Sequence, residues 1–96
     1  MSKQYIKYLK QFNAINLEYL KQQQLDIEQI IKLKNEMLQN GFHDIYSYYM
    51  DILCDFHFLT GRVDEFCVYK NELIEIGKKN GGFPLVYSLL HQGLDA

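Results

Sequence analysis

The sequence predicts an all-α protein: an antiparallel array of about five helices, built as two helical hairpins and a short C-terminal capping helix. Three observations predict it. Apolar residues recur at helical spacing and nowhere alternate for long. Six glycines and a single proline cut the chain into helix-sized pieces. The connections between those pieces are short, which favours antiparallel neighbours. With 96 residues, 48% of them apolar and including eight Tyr and six Phe, the chain suits a single domain whose core needs no disulfide or metal.

The first helix is expected over residues 3–22. Tyr5, Tyr8, Phe12, Ile15 and Tyr19 follow a 3-4-3-4 spacing and form one seam, which Ile6, Leu9 and Leu20 widen. Gln22, Gln23 and Gln24 suit a turn. A second helix starts at Asp26, which with Gln29 has the form of a capping box. Ile27, Ile30, Ile31, Met37 and Leu38 make its buried stripe, and Gly41 is the expected C-terminal cap. Asp44 is positioned to cap a third helix running to Thr60 and ended by Gly61. That segment is apolar nearly all round, with only Ser47, Asp51 and Asp55 as a polar stripe, so it belongs at the centre of the fold. A fourth helix over residues 63–79 turns Val63, Phe66, Cys67, Leu73, Ile74 and Gly77 inward. Its acids Asp64 and Glu65 come first and its bases Lys78 and Lys79 last, matching the helix dipole. After Gly81 and Gly82, Pro84 opens a short fifth helix carrying Leu85, Val86, Leu89 and Leu90, which Gly93 stops.

Composition removes several functional classes. Ten basic and twelve acidic residues are interspersed, for a net charge of −2, and no Lys/Arg block exists to hold nucleic acid. Lys3, Lys7, Lys10 and Lys21 read as a solvated helix face. No apolar run approaches the roughly 20 residues of a membrane span, and the first twelve residues lack a signal-peptide core. A cytoplasmic protein without direct membrane insertion is expected, in which Cys54 and Cys67 are buried reduced thiols.

Candidate chemistry is sparse. Cys54 and His57 lie three apart on one helix and Cys67 on the next, but zinc needs four converging ligands, or three and a water, and His43 and His91 fall in or near other segments. A Cys–His nucleophile pair would need an orienting acid, and Asp55 points elsewhere on the helix. Asp51 and Asp55 share a face and read as a solvated stripe rather than paired acids. The chain carries no G-x-S-x-G, no phosphate loop and no dinucleotide fingerprint. Neither catalysis, a metal nor a cofactor is expected. The tyrosines stand out instead. Tyr46, Tyr48 and Tyr49 spread around one helix, so at least one must reach the surface, near Ser47 and Asp51. The face formed by Tyr46, Ser47, Tyr48, Tyr49, Asp51 and Asp55 is the expected partner-binding surface.

Two segments repeat at a spacing of 36 residues. Lys34, Asn35, Glu36, Met37 and Leu38 match Lys70, Asn71, Glu72, Leu73 and Ile74, with Ile27, Ile30 and Ile31 matching Val63, Phe66 and Cys67, and Gly41 matching Gly77. A period in the mid-thirties is that of helical solenoids. The second hairpin, from Tyr46 to Lys79, resembles a tetratricopeptide repeat: Leu53 and Cys54 stand where the family has Leu-Gly, and Gly61 through Glu65 resemble its inter-helix turn. Tyr69, Leu73, Glu75 and Ile76 continue the register. Phe66 and Leu73 stand where that family has alanine, and Cys54 where it has glycine, which implies a wider hairpin. The resemblance covers a third of the chain and implies a scaffold for proteins or peptides, without chemistry of its own.

A second resemblance lies further along. Glu75, Ile76, Gly77 and Lys78, followed by Gly81, Leu85 and Tyr87, resemble the C-terminal portion of immunity proteins against class IIa bacteriocins. These are cytosolic helical bundles that protect a producer cell by acting on the toxin's membrane receptor complex. The expected function is therefore a small adaptor or chaperone-like protein with a protein or peptide partner; the alternative is an immunity protein whose tail from Phe83 onward sets recognition. A homodimer through the Tyr5/Tyr8/Phe12/Ile15/Tyr19 seam is a third expectation.

Overall fold

The computed structural model describes residues 2–80, which are all-helical. Among the described residues the helices are α1 (Lys3–Gln22), α2 (Ile27–Gln39), α3 (His43–Leu59) and α4 (Val63–Asn80). The expected fifth helix after Pro84 lies outside the described residues.

The first helix starts where Ser2 accepts the Tyr5 N–H at 3.1 Å, a side-chain cap. Its seam is the one the spacing predicts. Tyr8, Phe12 and Tyr19 are buried, and Tyr5 and Ile15 pack against the same core. Leu9 joins them, but Ile6 and Leu20 lie off the seam and are exposed. The second helix is capped by Asp26, which accepts the Gln29 N–H at 3.2 Å. Its buried stripe is Ile30, Leu33, Lys34 and Met37, one face at i, i+3, i+4 and i+7. Leu33 and Lys34 were not in the expected stripe, while Ile27, Ile31 and Leu38 flank it half-buried.

The third helix buries Ile45, Tyr46, Ser47, Tyr49, Met50, Ile52, Leu53, Cys54 and His57, positions that cover more than half of its circumference, while Tyr48, Asp51 and Asp55 on the remaining side are half-buried or exposed. It is the central helix, with α1, α2 and α4 all packed on it. The described array measures 38 × 33 × 18 Å, and its thin dimension is about two helix diameters.

Two of the three turns share one design. Gly41 takes φ 79° and Gly61 φ 77°. At the first, the Gly41 N–H donates to the Leu38 carbonyl (3.2 Å) and the Phe42 N–H to that of Met37 (2.9 Å). At the second, Gly61 donates to Phe58 (3.2 Å) and Arg62 to His57 (2.8 Å). These paired bonds are the Schellman stop. In each, the residue after the glycine then accepts the first bond of the next helix: Tyr46 to Phe42 and Phe66 to Arg62, both at 3.0 Å. So tight a turn leaves no residue for a separate cap. Asp44 therefore falls inside the first turn of α3, and Phe42 occupies the cap position without a side-chain bond. Gly77 is no counterpart of Gly41, since α4 runs through it to Asn80 with the glycine buried. Val63, expected to face inward, opens α4 at 61% exposure because the turn leaves nothing above it.

The third turn differs. Gln23 is left-handed at φ 57°, and its N–H donates to the Tyr19 carbonyl at 2.8 Å. Successive helices α2/α3 and α3/α4 pack as the short loops predict, but no Cα of α1 comes within 8 Å of one in α2. An open cleft of about 300 Å³ separates them, between Ala14, Ile15 and Tyr19 on one side and Leu25 and Gln29 on the other. Helix α1 lies instead along α3. Tyr5 meets Asp44, Phe12 meets Tyr48 and Tyr49, and Tyr19 meets Asp55 and Phe56, so α1 and α3 run parallel.

Nothing lies within 4 Å of a Cβ built on Gly41 or Gly61. Alanine at either position is therefore expected to cost only the backbone term, about 1 kcal/mol each, seen as a lower urea midpoint at unchanged slope. A loss near zero would show that the left-handed turn is not held in solution.

Candidate partner-binding surface

The face expected to bind a partner does not form one surface. Tyr46, Ser47 and Tyr49 are enclosed, Tyr48 and Asp51 are half-buried, and Asp55 is exposed. The reason is that α1, α2 and α4 cover three sides of α3. The Ser47 hydroxyl is satisfied within the helix, donating to the His43 carbonyl at 2.8 Å.

Tyr46 belongs to a buried polar cluster. Its hydroxyl donates to Glu72 at 2.7 Å, and the Lys34 ammonium donates to both oxygens of the same carboxylate at 2.7 Å. Lys34 is only 6% exposed. Burial, and next the bond to Glu72, raise the Tyr46 phenol far above its ordinary value. Helices α2, α3 and α4 thus share one charge-assisted knot.

The α1 seam carries the same kind of bond. Tyr5 donates to Asp44, Tyr8 to Glu36, and Tyr19 to Asp55 at 2.8 Å. The two copies of the Lys-Asn-Glu repeat are used alike in one respect: Glu36 accepts from Tyr8 of α1 as Glu72 accepts from Tyr46 of α3. They differ in another, since Lys34 is buried while Lys70 lies half-buried over the Phe66 ring at 5.8 Å. Sequence reasoning did not find these bonds. The partners stand 26 to 39 residues apart, and no local spacing announces them.

Tyr49 is the contrast. Its ring meets Phe12 edge-on at 5.0 Å, and its hydroxyl is buried without a partner. Burial pushes its phenol up to about 12. For Tyr5 the bond to Asp44 is the leading cause of a rise to about 12.

His57, only 2% exposed, is held as a core group. Its Nδ1–H donates to the Leu53 carbonyl at 2.7 Å, and its ring packs against Phe56 and Tyr69. Cys54 is buried and Cys67 half-buried, both free thiols. Among the described residues no three His, Cys, Asp or Glu side chains converge to hold a metal ion. No helix there is long and apolar enough to cross a membrane.

What the described surface does present is an apolar corner around the α3–α4 turn. Phe58 and Leu59 are 63% exposed and Val63 61%. Phe66 lies beside Phe58 with ring centroids 5.4 Å apart. Arg62 covers the neighbouring Phe56 ring at 5.8 Å, and with Lys70 and the exposed acids Asp64 and Glu65 it gives the corner a charged rim of both signs.

Substitutions separate the buried phenols. Tyr46→Phe is expected to lose about 1–2 kcal/mol by stripping a bond from a carboxylate, and Tyr49→Phe to be neutral or stabilising, since it removes an unsatisfied hydroxyl. Glu72→Ala, which strands the buried Lys34, should cost more than Lys34→Met, which leaves a carboxylate that water reaches. Urea unfolding of the four variants gives the order, and equal losses at positions 46 and 49 would contradict it. The raised phenols also set an alkaline limit. Against an ordinary value of about 10 in the unfolded chain, groups held near 12 in the fold contribute fully below pH 10, and their contribution is lost as pH climbs through 12. Unfolding followed at 222 nm, with tyrosinate absorbance at 295 nm, should show stability falling above pH 10; undiminished stability at pH 12 contradicts this.

Comparison of the chain with protein-family models, with curated proteins and with solved structures finds no match in any of the three.

Proposed function

We propose that this chain is a non-enzymatic protein-interaction module, an adaptor or chaperone-like helical protein that takes its partner on the apolar corner at the α3–α4 turn. The observation that supports the reading is the exposure of Phe58, Leu59 and Val63 together, beside Phe66. Large apolar side chains left in water forgo roughly 25 cal/mol for every Å² they could bury. Grouped around one turn and rimmed by charged side chains, they have the layout of an interface: an apolar centre with a polar edge. Tyr46 and Tyr49 of α3 serve the core and Tyr48 is half-buried, which favours a surface at the end of α3 over one along its middle.

The test is capture of partners from lysate, with membranes solubilised, on immobilised wild type and on two double variants: Phe58→Ser with Leu59→Ser at the corner, and Leu17→Ser with Leu20→Ser on the exposed side of α1. All four positions are more than half exposed, so the fold should persist, as circular dichroism would verify. A protein held by wild type and by the α1 variant, but reduced at least about tenfold by the corner variant, fits truncation of interface anchors. Capture that survives the corner variant sinks the assignment. A membrane-transporter component captured through residues 83–96 would favour the immunity reading instead.

A further inference from the structure

We propose that this protein forms a dimer by exchanging α1 between two copies, with the Gln22–Asp26 turn straightening as the hinge. The inference is independent of the corner described above and rests on how α1 is attached.

First, the hinge is made of the wrong residues for a permanent turn. The other two turns place glycine in the left-handed region, and this one places Gln23 there, at φ 57°. A left-handed L-residue is strained, and Gln is a good helix former. Returning Gln23 to right-handed backbone relieves that strain, and if Gln24, Leu25 and Asp26 follow, giving up the Asp26 cap, α1 and α2 become one helix with no Gly or Pro from Lys3 to Gln39 to interrupt it.

Second, little holds α1 beside α2. Their backbones nowhere approach within 8 Å, and the cleft between them is open. The attachments of α1 are to α3, through Tyr5, Phe12 and Tyr19, with Tyr8 reaching Glu36. Each can be remade unchanged by a second copy's α1, because α3 presents the same acceptors and rings and α2 the same Glu36 carboxylate.

Third, the geometry closes. In one chain α1 runs antiparallel to α2, with Tyr8 opposite Glu36 near the far end of α2. When α1 and α2 form one helix, the incoming α1 of the second copy lies antiparallel to α2. The two long helices then pair about a two-fold axis at residues 22–26. Such an arrangement is self-complementary and stops at two copies. The α1 seam itself is spent on α3 and is not free for the simple seam-to-seam pairing that the sequence suggested.

The test uses the full chain and two substitutions at one exposed position. Gln23→Gly favours the turn and Gln23→Ala the helix. Each hinge should respond about fivefold, and a dimer contains two, so the association constants of the two variants should differ by at least about 25-fold. Light scattering across a concentration series measures them. The second readout is a half-filtered nuclear Overhauser experiment on a mixture of isotope-labelled and unlabelled Gln23→Ala chains, refolded together. A cross-peak between Phe12 of one copy and Tyr49 of the other is expected. The proposal is overturned if Gln23→Ala stays monomeric to millimolar concentration, if the Gly and Ala variants associate equally, or if a dimer forms with Phe12–Tyr49 contacts only within one chain.

Discussion

A lysine held at 6% exposure, Lys34, sets the terms for three of the helices. Taking that charge out of water costs several kcal/mol unless a carboxylate and a good geometry answer it. Glu72 supplies both oxygens, and the Tyr46 hydroxyl donates to one of them, Oε2, as well. No Cα of α2 lies within 8 Å of one in α4, so the two helices communicate only across α3 and through this cluster. The fully buried Tyr46 sits at α3's contribution to the knot, and slipping any of the three helices along its axis would separate a buried charge from its partner. Apolar contacts alone tolerate such slippage; this one does not. The cluster therefore acts less as a source of stability than as a register pin.

The rest of the array is arranged around that pin with uneven firmness. Helices α2, α3 and α4 are joined by two copies of one glycine turn, each closing with the same pair of backbone bonds. Helix α1 is joined by a glutamine turn and attached by side chains alone. The molecule is a three-helix unit with its positions fixed, plus a fourth helix laid along the central one and tied by phenol–carboxylate bonds.

Much of this was legible in the sequence. The 3-4-3-4 seam of α1, the Asp26 cap, the Gly41 and Gly61 stops and the all-round apolarity of α3 are local patterns, and each became what its spacing implies. The failures share a cause. The expected stripe of α2 left out Leu33 and Lys34; nothing local marks the lysine as buried, because the carboxylate that makes its burial tolerable, Glu72, lies 38 residues away. Because Tyr46, Tyr48 and Tyr49 spread around the helix axis and cannot all face one neighbour, Tyr46, Ser47 and Tyr49 read as surface. Their hydroxyls find a carboxylate, a backbone carbonyl and nothing, respectively. The exposed corner escaped notice for the opposite reason: Phe58, Leu59 and Val63 read as core by composition, and only the turn's geometry leaves them outside.

The 18 Å thickness of the array has a consequence for its motions. In a body two helices deep no helix is enclosed on every side, and α3, with α1, α2 and α4 packed on it, comes nearest. Backbone amides on the covered sides of α3 meet solvent when a neighbour departs, whereas those at its exposed end by Phe58 and Leu59, and on the outer sides of α1 and α4, meet it by local fraying. Exchange of the covered α3 protons for deuterium is thereby tied to the opening of the whole array, and the slowest amides of this protein mark one helix rather than a scattered core.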